Sequence, residues 1–174
     1  DGALRAQTDF IQRARGYGAR EVDATDLGAT IRLWANPAAL DDLRARLNEA
    51  APPRGADLTF SGSGDFHHVT LLLLERAYQS LEAGQLTVVH FDNHPDWVRY
   101  AHGAHCGSWA AQATRLEGVE RVITIGPCSK DLTPGKAAQA DRRAFETGRL
   151  EVYPYHAPDG ASENVITGAP WRTI

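Results

Sequence analysis

The segment Leu86 to Phe91 (LTVVHF) is apolar or β-branched at nearly every position, the pattern of a strand buried on both faces of a parallel sheet. Val119 to Ile125 (VERVITI) and Leu150 to Tyr155 repeat that signature further along, and Gly126-Pro127 closes the first of them. Between them the period changes. Gly107 to Leu116 and Pro134 to about Thr147 read as helices. Upstream, Leu40, Leu43 and Leu47 recur at helical spacing within Pro37 to Ala50. Asn36 is a good cap for that helix, Pro37 suits its first turn, and Ala51-Pro52-Pro53 ends it. Ala29 to Ala35 (ATIRLWA) alternates polar and apolar positions and reads as a strand, and Asp57 to Ser61 (DLTFS) reads as a short one. Phe66 to Leu81 is a helix with Gly84 as its stop, and Ala3 to Arg15 is a short helix interrupted by the stretch Gly16 to Gly18.

Strands alternating with helices predict an α/β protein: a three-layer α-β-α arrangement around a mainly parallel sheet. At 174 residues, one domain is the expected organisation, with enough length to bury a core without disulfides. Apolar residues make up 43% and charged residues 23%, an ordinary globular balance. A net charge of −4 with scattered basic residues argues against nucleic acid and anionic membranes as partners. No apolar run approaches the roughly 20 residues a membrane span needs, and no signal-peptide pattern opens the chain. Cys106 and Cys128 form no metal-type pair, so a reducing, cytoplasmic setting is expected. The chain begins at Asp1 and contains no methionine, and it is expected to be part of a longer protein.

Ligands of parallel α/β sheets bind at the carboxyl ends of the strands. Immediately after LTVVHF comes Asp92-Asn93-His94-Pro95-Asp96-Trp97. Asp92, His94 and Asp96 alternate, so in extended chain their side chains leave from one face. Two carboxylates and an imidazole gathered at one strand end repel one another unless a cation neutralises them. Mixed oxygen and nitrogen donors suit Mn²⁺, Zn²⁺ or Fe²⁺ better than Ca²⁺. A second cluster, Gly62-Ser63-Gly64-Asp65-Phe66-His67-His68, follows DLTFS and opens a helix, where a histidine can serve either as a further ligand or as a cap. In a third, Ala101-His102-Gly103-Ala104-His105-Cys106-Gly107-Ser108-Trp109, the glycines permit a tight loop and either histidine can carry protons near neutral pH. Trp97, Tyr100 and Trp109 flank these loops, as packing residues or as a stacking wall for a planar cation.

GSGDFHH before a helix, then HFDNHPDW, then a His-Cys-Gly loop, together resemble the ureohydrolase (arginase/agmatinase) superfamily and its arginase-fold relatives, closest to a poorly characterised arginase-like branch. The resemblance covers about residues 57 to 128, and its most specific part is the Asp-x-His-x-Asp run. It implies an arginase/deacetylase-like sheet and a metal-dependent hydrolase of C–N bonds in guanidino, amidine or amide substrates. Carried over residue by residue, Asp92 would bridge two metals, His94 would bind one and Asp96 the other. His67 would be the turn ligand, with His68 as the competing choice. His105 would assist proton transfer, with Asp96 beside it among the catalytic groups. Mn²⁺ is the implied cofactor, binuclear when a later Ser-x-Asp-x-Asp segment is present, with Zn²⁺ or Fe²⁺ as alternatives. That segment is not among the 174 residues, so the chain would be the N-terminal portion of an arginase-like domain, truncated at Ile174. The partner would be a small-molecule substrate, with homo-oligomerisation left open. The alternatives are a single-zinc, deacetylase-like enzyme and a degenerate, non-catalytic binding or assembly protein on the same fold.

Overall fold

The structure, a computed structural model, describes residues 2–50, 57–81 and 83–155. Along the chain, α1 (Gly2–Arg5) and α2 (Thr8–Gly16) divide the predicted N-terminal helix in two. A short 3₁₀ turn leads into α3 (Gly28–Ile31), then β1 (Trp34–Ala35) and α4 (Pro37–Glu49). A 3₁₀ segment over Gly64–Val69 leads into α5 (Thr70–Gln79). The strand β2 (Leu86–Phe91) follows, then β3 (Ala104–His105), α6 (Trp109–Ala113) and β4 (Val119–Ile125). Two short helices, α7 (Pro134–Ala137) and α8 (Arg142–Glu146), precede β5 (Leu150–Tyr153). Among the described residues no helix is long and apolar enough to cross a membrane.

The described residues fall into two compact units, one within Asp1–Ser80 and His102–Cys106, the other within Leu81–Ala101 and Gly107–Ile174. In the first, α4 begins as the sequence dictates: the Asn36 side chain accepts a hydrogen bond from the Ala39 amide at 2.8 Å, satisfying one of the helix's orphan donors. Its Ala39 and Leu43 face a core shared with Ile31, Ala35, Phe66, Val69 and Leu72, and Leu40 and Leu47 pack on its edge. Arg44 on α4 pairs with Glu75 on α5 at 2.8 Å. The expected Ala51-Pro52-Pro53 stop lies outside the described residues.

One predicted strand is absent from this unit and another is cut short. Asp57 to Ser61 carries no ladder, and its Leu58 and Phe60 are exposed. Of Ala29 to Ala35, only Trp34–Ala35 is a strand, and Ile31 ends a helical turn. The break is at Leu33, whose φ of 63° lies in the left-handed region where an extended strand cannot continue. Leu33 is held there by its neighbours: its N–H donates to the Asp65 carbonyl at 2.8 Å, and its carbonyl accepts from the Cys106 N–H at 2.9 Å. The strand stub then pairs antiparallel with β3, Trp34 opposite His105 and Ala35 opposite Ala104.

The second unit is α/β. Its sheet is parallel, in the order β2-β4-β5, with β4 pairing His90 to Thr124 on one side and Val122 to Leu150 on the other. The helix α6 lies against β4 and α8 against β5. The expectation that β2 is buried on both faces does not hold. Val88 and His90 are buried while Val89 and Phe91 are 50% and 75% exposed. Among the described residues β2 is an edge strand paired with β4 alone, and nothing described covers its Val89–Phe91 face. The helix expected over Pro134 to Thr147 is also broken. At its middle the chain turns to bridge Val98 to Ala140, and the Asp141 N–H donates to the Trp97 carbonyl at 2.7 Å.

Candidate metal centre

The loop after β2 is pinned on three sides. The Asn93 carbonyl accepts from the amides of Cys128 and Ser129 at 3.1 and 3.2 Å, beyond the end of β4. The Asp96 carbonyl accepts from the Ala111 amide on α6 at 3.2 Å. Pro95 and Trp97 are fully buried, and the Trp97 ring meets Phe145 edge-on at 5.4 Å. This is a rigid shelf at the carboxyl end of a parallel strand, where such sheets carry their ligands.

The three alternating residues do not leave this shelf as one extended face. Asp92 is half-buried and its Oδ1 accepts the His94 amide at 2.9 Å, so the chain turns at once. The His94 ring is exposed, its Nδ1 3.5 Å from Asp92 Oδ1. Asp96 has a φ of 45° and is only 3% exposed. A left-handed backbone is tolerated by aspartate better than by most residues, yet it is still strain retained by the surrounding hydrogen bonds. The turn nevertheless brings the side chains back together around a fourth residue. His90, facing inward from β2, places Nε2 3.4 Å from Asp92 Oδ2 and 3.7 Å from Asp96 Oδ2. Trp109, at the start of α6, donates its Nε1–H to Asp96 Oδ2 at 2.8 Å, and its ring meets that of His90 edge-on at 4.7 Å.

Sequence reasoning missed His90, and it placed Trp109 beside the loops only as packing or a stacking wall. The signal for His90 was present: it stands two residues before Asp92, on the inward parity of the strand, so the His-x-Asp-x-His-x-Asp alternation begins one step earlier. Trp109 gives no such signal, because its contact depends on how α6 returns to the shelf. Trp97 is packing, as its burial shows.

Burial pushes the Asp96 carboxyl up to about 8, and the negative charge of Asp92 adds to the effect; the Trp109 hydrogen bond works in the opposite direction. Two carboxylates held close, one of them almost sealed from water, with imidazoles alongside, form the donor set of a divalent-cation site. The residues present therefore fit the metal the resemblance implies. The opposing pressures on Asp96, desolvation and a like charge, are those a bound dication would relieve.

The remaining predicted residues lie in the other unit. His67 is half-buried, and its Nε2 is 2.9 Å from the Cys106 carbonyl. A carbonyl can only accept, so Nε2 carries the hydrogen. His68 is fully buried and neither of its nitrogens has a hydrogen-bond partner of ordinary geometry. Burial, then the charges of His67 and His105, lower its pKa to about 4, with the Ile31 backbone pulling weakly the other way. His105 is lowered as well, by burial and then by His67. The Cys106 thiol is 4.0 Å from His105 Nδ1. Gly103 proves to be required by the chain's own backbone: with φ at 78°, a Cβ there would fall 2.0 Å from the Ala35 carbonyl oxygen.

The second unit is thus an α/β unit whose strand-end carboxylate–imidazole cluster has the donor set of a metal site. No protein-family profile matches the chain, and no solved structure does. The chain is similar to an uncharacterized protein of Thermotoga maritima, 31% identical over 74 residues. The match covers 42% of this chain and 28% of that protein, so the chain spans well under a third of the relative's length.

Proposed function

We propose that this protein is a metal-dependent hydrolase of a C–N bond in a guanidino, amidine or amide substrate, built on an arginase-like fold. The observation that carries the reading is the convergence of Asp92 and Asp96 beside His90 at the carboxyl end of a parallel strand. Asp92 and Asp96 would hold the cation, with His94, beside Asp92, completing the set on that loop. His67 enters as a ligand, and His105 as a proton carrier, only through the sequence resemblance. Mn²⁺ is the preferred ion on that resemblance, with Zn²⁺ or Fe²⁺ allowed by the same donors. When bound, the ion would lower the pKa of a coordinated water and polarise the scissile carbon's substituents. The chain's own part is to keep the carboxylates converged and, at Asp96, shielded from bulk water.

The test combines metal analysis with turnover. Purified protein reconstituted with Mn²⁺, Zn²⁺ or Fe²⁺ should retain about one or two equivalents, the count separating a single-ion from a binuclear site. Urea or amine release should then be followed over a panel of guanidino, amidine and acylated-amine substrates. Asp92→Asn should lose both metal and turnover while keeping its circular dichroism spectrum. Retention of less than one equivalent of every metal by wild-type protein rejects the proposal. So does an Asp92→Asn variant that binds and turns over normally.

A further inference from the structure

His90 and Thr124 are paired in register across the β2–β4 ladder, and both are buried, Thr124 completely. Their side chains meet: His90 Nδ1 is 3.3 Å from Thr124 Oγ1. The other ring nitrogen, Nε2, faces Asp92 Oδ2 at 3.4 Å and Asp96 Oδ2 at 3.7 Å. As a carboxylate, Asp92 accepts only, so the nitrogen turned towards it carries hydrogen. In a neutral imidazole that leaves Nδ1 as an acceptor, and the Thr124 hydroxyl donates to it. The Trp109 ring, edge-on to the imidazole, prevents it from swinging away, while the Trp109 N–H holds Asp96.

We infer that His90, oriented by Thr124, is a positioning residue that holds the Asp92 and Asp96 carboxylates in the arrangement that binds the divalent metal. The inference rests on the metal-site reading proposed above and adds to it a pair that the Asp-x-His-x-Asp motif does not contain. In both carboxylates it is Oδ2 that faces Nε2, so one ring nitrogen stands between the two acids. Residues in this role support metal affinity from behind the ligands, and their loss typically weakens binding by about 10- to 100-fold. Placing them on adjacent, hydrogen-bonded strands makes the support rigid, which a loop residue would not achieve.

The experiment titrates Co²⁺ and Mn²⁺ into metal-free wild-type protein and the variants His90→Gln, His90→Phe, Thr124→Val and Thr124→Ser, following heat of binding and the Co²⁺ visible spectrum. Circular dichroism and urea unfolding report the fold of each. Thr124→Val keeps shape and removes only the hydroxyl, so it remains informative where His90→Phe fails to fold. Expected are about 10-fold or greater weakening and an altered Co²⁺ spectrum in His90→Phe and Thr124→Val. Thr124→Ser, which restores the hydroxyl, and His90→Gln, which keeps an N–H donor, should recover most of the affinity. A merely structural role would lower stability without moving the spectrum or showing the serine rescue. Wild-type binding with unchanged affinity and spectrum in folded Thr124→Val overturns this inference alone. Wild-type protein that takes up neither ion, nor Zn²⁺ or Fe²⁺, overturns the metal-site reading and the inference together.

Discussion

Asp96→Asn should make the metal-free protein more stable near neutral pH, although it removes a proposed ligand. The ordinary carboxyl value is 3.8, and in the folded chain Asp96 is raised to about 8, first by burial and then by Asp92. The folded state therefore holds a proton that the unfolded state releases between about pH 4 and pH 8. Stability contributed by that proton is complete at low pH and is lost as pH rises through this window. From pH 4 to pH 7 the loss is three pH units at about 1.36 kcal/mol each, or on the order of 4 kcal/mol. An amide has no such linkage. It can place its carbonyl oxygen where Oδ2 accepts the Trp109 N–H, and asparagine tolerates the left-handed backbone as well as aspartate does. Urea denaturation in chelator, at intervals from pH 4 to pH 8, measures the difference between variant and wild type. Taking that difference cancels every other titrating group. The variant's advantage should grow by a few kcal/mol across the window. Saturating Mn²⁺ should then narrow that advantage, because wild type alone gains binding energy, about 2.7 kcal/mol at a hundred times Kd. A pH-independent difference, or one that shrinks as pH rises, would refute the account of Asp96 as a buried, charge-frustrated acid.

Two further outcomes follow from the other unit. His68 has the opposite linkage: its value falls to about 4 from 6.5, so the stability of its neutral form is present above 6.5 and lost as pH falls towards 4. His68→Leu also removes two buried nitrogens that have no hydrogen-bond partner of ordinary geometry, and it should match or exceed wild-type stability at pH 7. Its advantage should widen by about 3 kcal/mol by pH 4, as read by urea unfolding; a narrowing gap would contradict the burial argument. Gly103→Ala should cost on the order of 3 kcal/mol, because the new methyl meets the Ala35 carbonyl on a left-handed backbone. Thermal melting checks this, and a shift within a degree of wild type would refute it.

The elements that sequence pattern revealed are those whose pattern is enforced locally. The helix from Pro37 starts where Asn36 and Pro37 require, and β4 occupies Val119–Ile125 as read, because a β-branched run between turn signals has few alternatives. The failures come from contacts between residues distant in sequence. ATIRLWA alternates like a strand, but Asp65 and Cys106 hold Leu33 in a left-handed conformation that no local propensity favours. The helix over Pro134 to Thr147 has adequate propensity and is broken because Asp141 answers the Trp97 carbonyl, 44 positions away. LTVVHF is apolar enough for double burial, but burial depends on what covers the strand, and its outer face is exposed.

The same distinction separates the legible part of the site from the rest. Alternation identified Asp92, His94 and Asp96, but it assumed an extended backbone, which ends at Asp92. What gathers the acids is a turn that reverses Asp96 and a strand residue, His90, already inside. Local rules are broken several times at Asp96: an acid is buried, placed next to another acid, and set in a left-handed conformation. A sequence folding for stability alone would have little reason to keep that combination, since a neutral residue would relieve at least the first two costs. Conflicts of this kind are expected where a binding or catalytic site requires them. The cost at Asp96 is thus an argument for the metal reading that is independent of any resemblance.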